Sequence, residues 1–217
     1  MLVHTPSNSL ILKLRDPSAV TNVIPRARVV NYKGVDLTQV HFGLDEVRVL
    51  RNLGIAAPSP VKYNYKWEGK FSPFKHQITT TEFFTLNPKS ICLNDMGTGK
   101  TLSALWAADY LMQKGIRKKC IIVSPLSTMD SVWANEIRMH FMFTRTCAVL
   151  HGSRERRLKM LAMDVDFYII NHDGLKVIAN ELRNRTDIDL WILDEAAVYR
   201  NSQTARFKAM QSMVRPT

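Results

Sequence analysis

From residue 90 onward, short apolar runs alternate with stretches whose apolar positions recur every three or four residues. The runs at 90–93, 119–123, 146–150, 166–170 and 190–193 read as strands. The stretches at 100–114, 130–141, 154–163, 174–182 and 204–214 read as helices, the first stopped by Gly115. Mostly apolar strands separated by amphipathic helices need right-handed crossovers, because each helix must pack back onto the sheet it left. The expected fold class is therefore α/β, a parallel sheet with helices on both faces. In such sheets ligands sit beyond the C-terminal strand ends, which is where chemistry is sought below.

Upstream the pattern is different. Residues 9–14 and 27–33 have strand character, and Leu44, Val47, Leu50 and Leu53 repeat at helical spacing up to Gly54. Val61 to Trp67 alternates strictly, with Tyr63, Tyr65 and Trp67 on one strand face and Lys62 and Lys66 on the other. That segment reads as a half-buried strand or as an aromatic platform for bases beside phosphate-binding lysines. Pro58, Ser59, Pro60, Gly69 and Pro73 break up regular structure, so a boundary is expected near residue 70. Residues 1–70 would form a small α+β accessory domain, a candidate for DNA binding, and 71–217 the α/β domain.

Composition narrows the function classes. The 217 residues are 46% hydrophobic and 23% charged, enough for one real core and an appendage. No apolar stretch approaches the ~20 residues of a membrane helix, and no signal-peptide pattern opens the chain. Cys92, Cys120 and Cys147 are scattered, which argues against a disulfide framework or a four-cysteine zinc site and fits a reducing cytoplasm. The net charge of +11 favours a polyanionic partner, but it is spread along the chain, +5 over residues 1–70 and +6 over the rest. The basic clusters at 117–119 and 154–159 read either as solvated faces or as non-specific phosphate contacts.

The expected strand at 90–93 runs into Asn94-Asp95-Met96-Gly97-Thr98-Gly99-Lys100-Thr101 and then a helix. A phosphate chain needs main-chain N–H groups brought close without Cβ obstruction, which Gly97 and Gly99 permit. The helix N-terminus adds a positive dipole, Lys100 would reach the terminal phosphates, and the Thr101 hydroxyl would ligate Mg²⁺. Asn94 stands where the strict phosphate-loop pattern has glycine. Ninety-four residues after Lys100, the apolar run Leu190-Trp191-Ile192-Leu193 delivers Asp194 and Glu195. Asp194 would hold Mg²⁺ through its water shell, and Glu195 would orient and deprotonate an attacking water. Asn184-Arg185-Thr186-Asp187 lacks the lysine of a guanine-reading element and precedes the acidic strand, so GTP is disfavoured.

In this order the motifs resemble superfamily-two helicases and translocases, most closely the Swi/Snf-like branch, over residues 71–217. Asp95-Met96-Gly97-Thr98-Gly99-Lys100-Thr101 is similar to that branch's Asp-Glu-Met-Gly-Leu-Gly-Lys-Thr. The resemblance implies a RecA-like lobe that binds ATP and Mg²⁺ through this loop, a phosphate-loop NTPase fold. Phe74-Lys75-His76-Gln77 resembles the glutamine motif, implying that Gln77 reads adenine, whose donor and acceptor an amide matches. Val123-Ser124-Pro125-Leu126-Ser127 with Trp133 resembles motif Ia, and Asp166 to Asp173 the later strand that ends in a nucleic-acid-facing turn. By that likeness Ser124, Pro125, Asn171 and His172 would touch a sugar–phosphate backbone, with Arg200-Asn201 facing DNA or phosphate. Read singly, Trp133 is a core residue, and His172 is as much a helix-cap neighbour as a contact.

The family's usual Asp-Glu-Ala-His is here Asp194-Glu195-Ala196-Ala197. The hydrolytic carboxylates survive, while the position tied to coupling of nucleotide and nucleic acid is a methyl group. The resemblance also implies a following strand with a Thr-Gly-Thr or Ser-Ala-Thr element, then a second RecA-like lobe carrying an arginine to the γ-phosphate. The chain ends at Pro216-Thr217, before both. It is thus expected to be the N-terminal lobe of a longer motor, weakly active in ATP hydrolysis alone, with duplex DNA as partner. Compact motifs and a short N-terminal extension suit a bacterial or phage member. An RNA helicase of the same superfamily and a non-catalytic nucleotide- or nucleic-acid-binding module remain the alternatives.

Overall fold

The computed structural model describes residues 1–213, and the chain divides into two compact units. The first comprises Met1–Lys66 and Ile78–Leu93, the second Trp67–Gln77 and Asn94–Thr217.

In the first unit β1 (Leu2–His4), β2 (Ser9–Leu12), β3 (Arg28–Tyr32) and β4 (Val35–His41) form an antiparallel sheet in the order β1-β2-β4-β3, with the short helix α1 (Ser18–Thr21) between β2 and β3. Pairing of Leu10 with Val40 and Leu12 with Thr38 puts four buried residues on one face. The β3–β4 turn takes Lys33 (φ 51°) and Gly34 (φ 77°), the two positive φ values that a tight hairpin of matching twist needs. Helix α2 (Leu44–Asn52) buries Leu44, Val47 and Leu50, as its apolar spacing requires, and Gly54 follows it at φ 78°.

Residues 61–67 are not a strand. Pro60 opens a helical turn, α3 (Val61–Asn64), in which Asn64 N–H donates to the Pro60 carbonyl at 2.9 Å. Val61 and Tyr65 are buried while Lys62 and Tyr63 are exposed, an i, i+4 rather than an alternating division. The aromatic platform is dispersed accordingly: Tyr63 lies edge-on to Phe42, Tyr65 is buried, and Trp67 stands edge-on to Trp106. Helix α4 (Lys75–Leu86) follows, and Arg48 donates to the carbonyls of Thr85 (2.7 Å) and Leu86 (2.9 Å) at its C-terminal end.

The second unit is the α/β lobe. Helix α5 (Lys100–Gln113) is followed by β5 (Lys119–Ser124), a π-helical segment Met129–Ala134 continuous with α6 (Asn135–Phe141), β6 (Cys147–Leu150), α7 (Arg154–Leu161), β7 (Phe167–Asn171), α8 (Gly174–Val177), α9 (Ala179–Asn184), β8 (Ile188–Leu193) and α10 (Ala205–Gln211). The strands form one parallel sheet, β6-β7-β5-β8. Both faces are covered: Ile121, Val123, Tyr168 and Ile170 pack in a core with Leu175, Leu182 and Met210, while Cys120, Ile122, Phe167 and Ile169 on the opposite face are also fully buried. The expected helix at 204–214 is observed as Ala205–Gln211, and Val214 lies outside the described residues. No helix among the described residues is long and apolar enough to cross a membrane.

The run at 90–93 is not a strand either. Ile91 and Leu93 are 73% and 88% exposed. Ser-Ile-Cys-Leu offers strong apolar side chains on one face only, whereas an inner parallel strand needs both.

An ion triad joins α5 to the starts of β6 and β7. Arg145 donates to the fully buried Asp109 at 2.6 Å and to Asp166 at 3.0 Å, and Asp166 also accepts from the Thr146 N–H and hydroxyl at 2.8 Å each. Burial pushes the Asp166 carboxyl up, but Thr146 and Arg145 together hold it below the usual range. Arg145→Ala should cost about 3–5 kcal/mol in urea unfolding, because it removes the cationic partner of the buried Asp109 carboxylate, and Arg145→Met with Asp109→Leu should recover most of that loss. The depressed Asp166 carboxyl contributes stability that is present above its unfolded value of about 3.9 and is lost as pH falls through the lower folded value. Acid unfolding below about pH 4 should therefore be shallower in the double variant than in the parent, followed by circular dichroism.

Candidate functional site

Residues 94–99 form a loop that closes on itself and on the start of α5. Gly97 and Gly99 lie at φ 75° and 70°, conformations that an L side chain rarely adopts. Lys100, the first residue of α5, donates from Nζ to the carbonyls of Asn94 (2.8 Å) and Asp95 (2.7 Å), and the Thr98 hydroxyl donates to Asp95 O at 2.8 Å. Thr101 is half-buried one residue further into the helix, and Met96 is exposed.

Gln77 is packed against this loop. Its Oε1 accepts from the Phe74 N–H at 2.9 Å, and a Cβ placed on Gly99 would run into its amide nitrogen. His76 lies beside it, stacked on Phe74 with ring planes 10° apart and bonded through Nε2 to the Thr98 carbonyl at 3.1 Å. Sequence reasoning passed over His76. A histidine preceding a glutamine carries no signal until the loop 22 residues away is seen beside it.

A second group of residues gathers at the C-terminal edge of the sheet. Register pairs Val123 with both Leu193 and Ile170, and Ser124 with Asn171, so the strands β5, β7 and β8 end at one level. Asp194 stands one residue beyond, its N–H still bonded to the Val123 carbonyl at 2.8 Å. Its Oδ1 accepts from the Glu195 N–H at 3.0 Å and its Oδ2 from the Trp133 indole N–H at 3.0 Å. Glu195 has φ 51°, a left-handed backbone that breaks off the strand, and its side chain is exposed. Trp133, expected only in the core, is buried and also holds the carboxylate.

The residues expected to meet nucleic acid are unevenly exposed. Pro125 and Asn171 are half-buried, and Arg200 and Asn201 are exposed. The Ser124 and His172 side chains are buried, so at these positions the turns offer main chain rather than side chain. His172 Nδ1 pairs with the Tyr199 hydroxyl at 3.0 Å, and its Nε2 has no hydrogen-bond partner among the described residues. Burial, helped by the Arg206 charge, lowers the His172 pKa against the opposing pull of Glu195, Asp194 and Asp173, which keeps the ring neutral near pH 7. Arg157, expected with the rest of the 154–159 cluster on a solvated or phosphate-binding face, is instead buried and bonded to this rim. It donates to the carbonyls of Leu150 and Gly152 and, at 3.1 Å, to Asn171 Oδ1, and burial lowers its pKa.

These donors fit a nucleoside triphosphate and a divalent cation. Two glycines free of Cβ bring main chain to a helix start, a lysine and a hydroxyl follow, and a half-buried carboxylate with a free lone pair on each oxygen stands at the strand ends. Among the described residues no cluster of three or more His, Cys, Asp or Glu side chains would hold a metal ion by itself.

A match to the SNF2-related domain covers residues 59–216. The chain is similar to YqhH, an uncharacterised ATP-dependent helicase of Bacillus subtilis, with 26% identity over 148 residues that make up 67% of this chain and 25% of that protein. It is similar in structure to the SWI2/SNF2 ATPase core of Sulfolobus solfataricus solved in complex with dsDNA, with a TM-score of 0.55, 25% identity, and coverage of 67% of this chain and 31% of that one. A third likeness, to the UvsW helicase of bacteriophage T4, extends over 94% of this chain and 77% of that one at a TM-score of 0.51 and 16% identity, and concerns the fold alone. The chain thus spans about a quarter of the Bacillus relative's length. On the domain match, and with the parallel sheet and its C-terminal rim in agreement, this chain belongs to the SNF2-related domain family.

Proposed function

We propose that the chain is the N-terminal motor lobe of an ATP-dependent DNA translocase or helicase, hydrolysing ATP to move on or remodel duplex DNA. The reading is carried by one observation: Asp194 leaves the sheet level with Ser124 and Asn171, so the acidic pair and the two turns expected at the nucleic acid share one rim. Residues 1–70, as a small accessory domain, would add DNA contacts, and a second RecA-like lobe elsewhere in the full-length protein would supply the arginine.

In this reading Gln77 presents its amide to the adenine edge, and the main chain from Asp95 through Met96, Gly97, Thr98 and Gly99 cradles the phosphates. Lys100 exchanges its two loop carbonyls for phosphate oxygens. Thr101 and Asp194 would hold Mg²⁺, which when bound would neutralise phosphate charge. Glu195 would orient a water and take its proton onto the carboxylate as the water oxygen bonds to the γ-phosphorus and the bond to the departing ADP oxygen breaks. Pro125, Asn171, Arg200 and Asn201, with the main chain at Ser124 and His172, meet the sugar–phosphate backbone without reading bases.

Glu195→Gln should leave ATP binding within about twofold and lower turnover by about 10²–10⁴, measured by phosphate release beside a fluorescent-nucleotide titration. Unchanged turnover would instead favour a non-catalytic module. Gly99→Ala should abolish nucleotide binding while leaving urea unfolding within about 1–3 kcal/mol of the parent, since the added methyl meets Gln77 and the residue must hold φ 70°. In the longer protein, duplex DNA should stimulate ATP hydrolysis more than single strands or RNA, and the DNA affinity should fall steeply with salt. Stronger stimulation by RNA would move the assignment to an RNA helicase.

A further inference from the structure

The Trp133–Asp194 bond has a role that burial alone does not explain. A buried indole N–H needs an acceptor, and carbonyls are the commonest supply. Here the acceptor is a carboxylate 61 residues away at the functional rim, 3.0 Å from a ring that is 3% exposed. With Oδ2 held by Trp133 and Oδ1 by the Glu195 N–H, the carboxylate plane cannot rotate without losing both bonds. Each oxygen keeps a lone pair directed outward.

Trp133 is itself firmly placed. It lies in the π-helical segment Met129–Ala134, a form uncommon in proteins and often found at functional sites. The turn leading into that segment is closed by the Thr128 N–H and hydroxyl, both on Pro125 O at 3.1 Å, and by the Ser131 hydroxyl on Ser127 O. From Pro125 to Trp133 the chain is one hydrogen-bonded piece, with a residue assigned to nucleic acid at one end and the Asp194 carboxylate at the other.

We infer that Trp133 is a positioning residue for the cation site, fixing the Asp194 carboxylate in the orientation that accepts hydrated Mg²⁺ and tying that orientation to the turn at Pro125. The inference rests on the ATP-binding reading above and deepens it. A partner of this kind, one step removed from the ion, typically changes metal affinity by about 10–100-fold when lost.

Trp133→Phe keeps an aromatic ring in the core and removes the indole N–H together with the five-membered ring and its contacts. In the 217-residue chain, a fluorescent ATP analogue titrated at increasing Mg²⁺ should bind both proteins alike without the ion. The Mg²⁺ concentration for half-maximal binding should then rise about tenfold in Trp133→Phe. In an Asp194→Asn background the same substitution should add no further shift, since both act through one group. A Mg²⁺ requirement equal to the parent's, or a full shift in the Asp194→Asn background, would overturn the inference and leave the ATP-binding reading standing. Parent binding indifferent to Mg²⁺ would overturn the inference and leave ATP binding standing, and a parent that binds no analogue at any Mg²⁺ concentration would overturn the ATP-binding reading itself. Should Trp133→Phe fail to fold, the assigned Trp133 indole N–H resonance of the parent answers the question. It should move on Asp194→Ala, and an unmoved resonance would overturn the inference.

Discussion

Strand β5 is hydrogen-bonded along both edges, to β7 on one side and β8 on the other, and five of its residues, Cys120 to Ser124, are fully buried with side chains on alternating faces. Register here is a hard constraint. A slip of one residue against either neighbour would turn Ile121 and Val123 out of their core and carry the whole apolar set to the wrong face. Because the register cannot drift, the ends of β5, β7 and β8 are fixed relative to one another to within a residue. Asp194 N–H on Val123 O is the last rung of that ladder, and the Glu195 backbone reversal begins directly after it. The rim owes its geometry to the sheet, not to the loops that decorate it.

That dependence explains which features were legible in the chain. Runs apolar on both faces, such as Cys120 to Val123 and Phe167 to Ile170, leave little alternative to inner parallel strands, and they are inner strands. Gly97, Gly99 and Lys100 announce a phosphate-type loop because their demands are local: backbone freedom and one charge. Residues 61–67 misled because strict alternation also satisfies a proline-started turn when only Val61 and Tyr65 need burying. Residues 90–93 misled because one apolar face suffices for a strand pattern but not for a buried strand.

The contacts that sharpen the site were out of reach for a different reason. Trp133 to Asp194, Arg157 to Asn171 and His76 to Thr98 join positions 61, 14 and 22 residues apart, through side chains whose residue types are ordinary core or surface choices. No period or spacing encodes them. They follow only once the sheet has brought distant chain segments together, so a motif reading finds the groups that do chemistry and misses the ones that aim them.

Gly99 is constrained twice over, and the two constraints differ in kind. Its φ of 70° is a property of its own backbone, whereas the missing side-chain volume is occupied by the Gln77 amide. A shorter residue at 77 would open room at 99 and lift the steric demand, yet the conformational demand would stay. The steric demand falls on the far end of a flexible side chain, which can turn aside, whereas the backbone demand stays whatever residue stands at 77, so it is the main chain and not the neighbour that keeps glycine at 99.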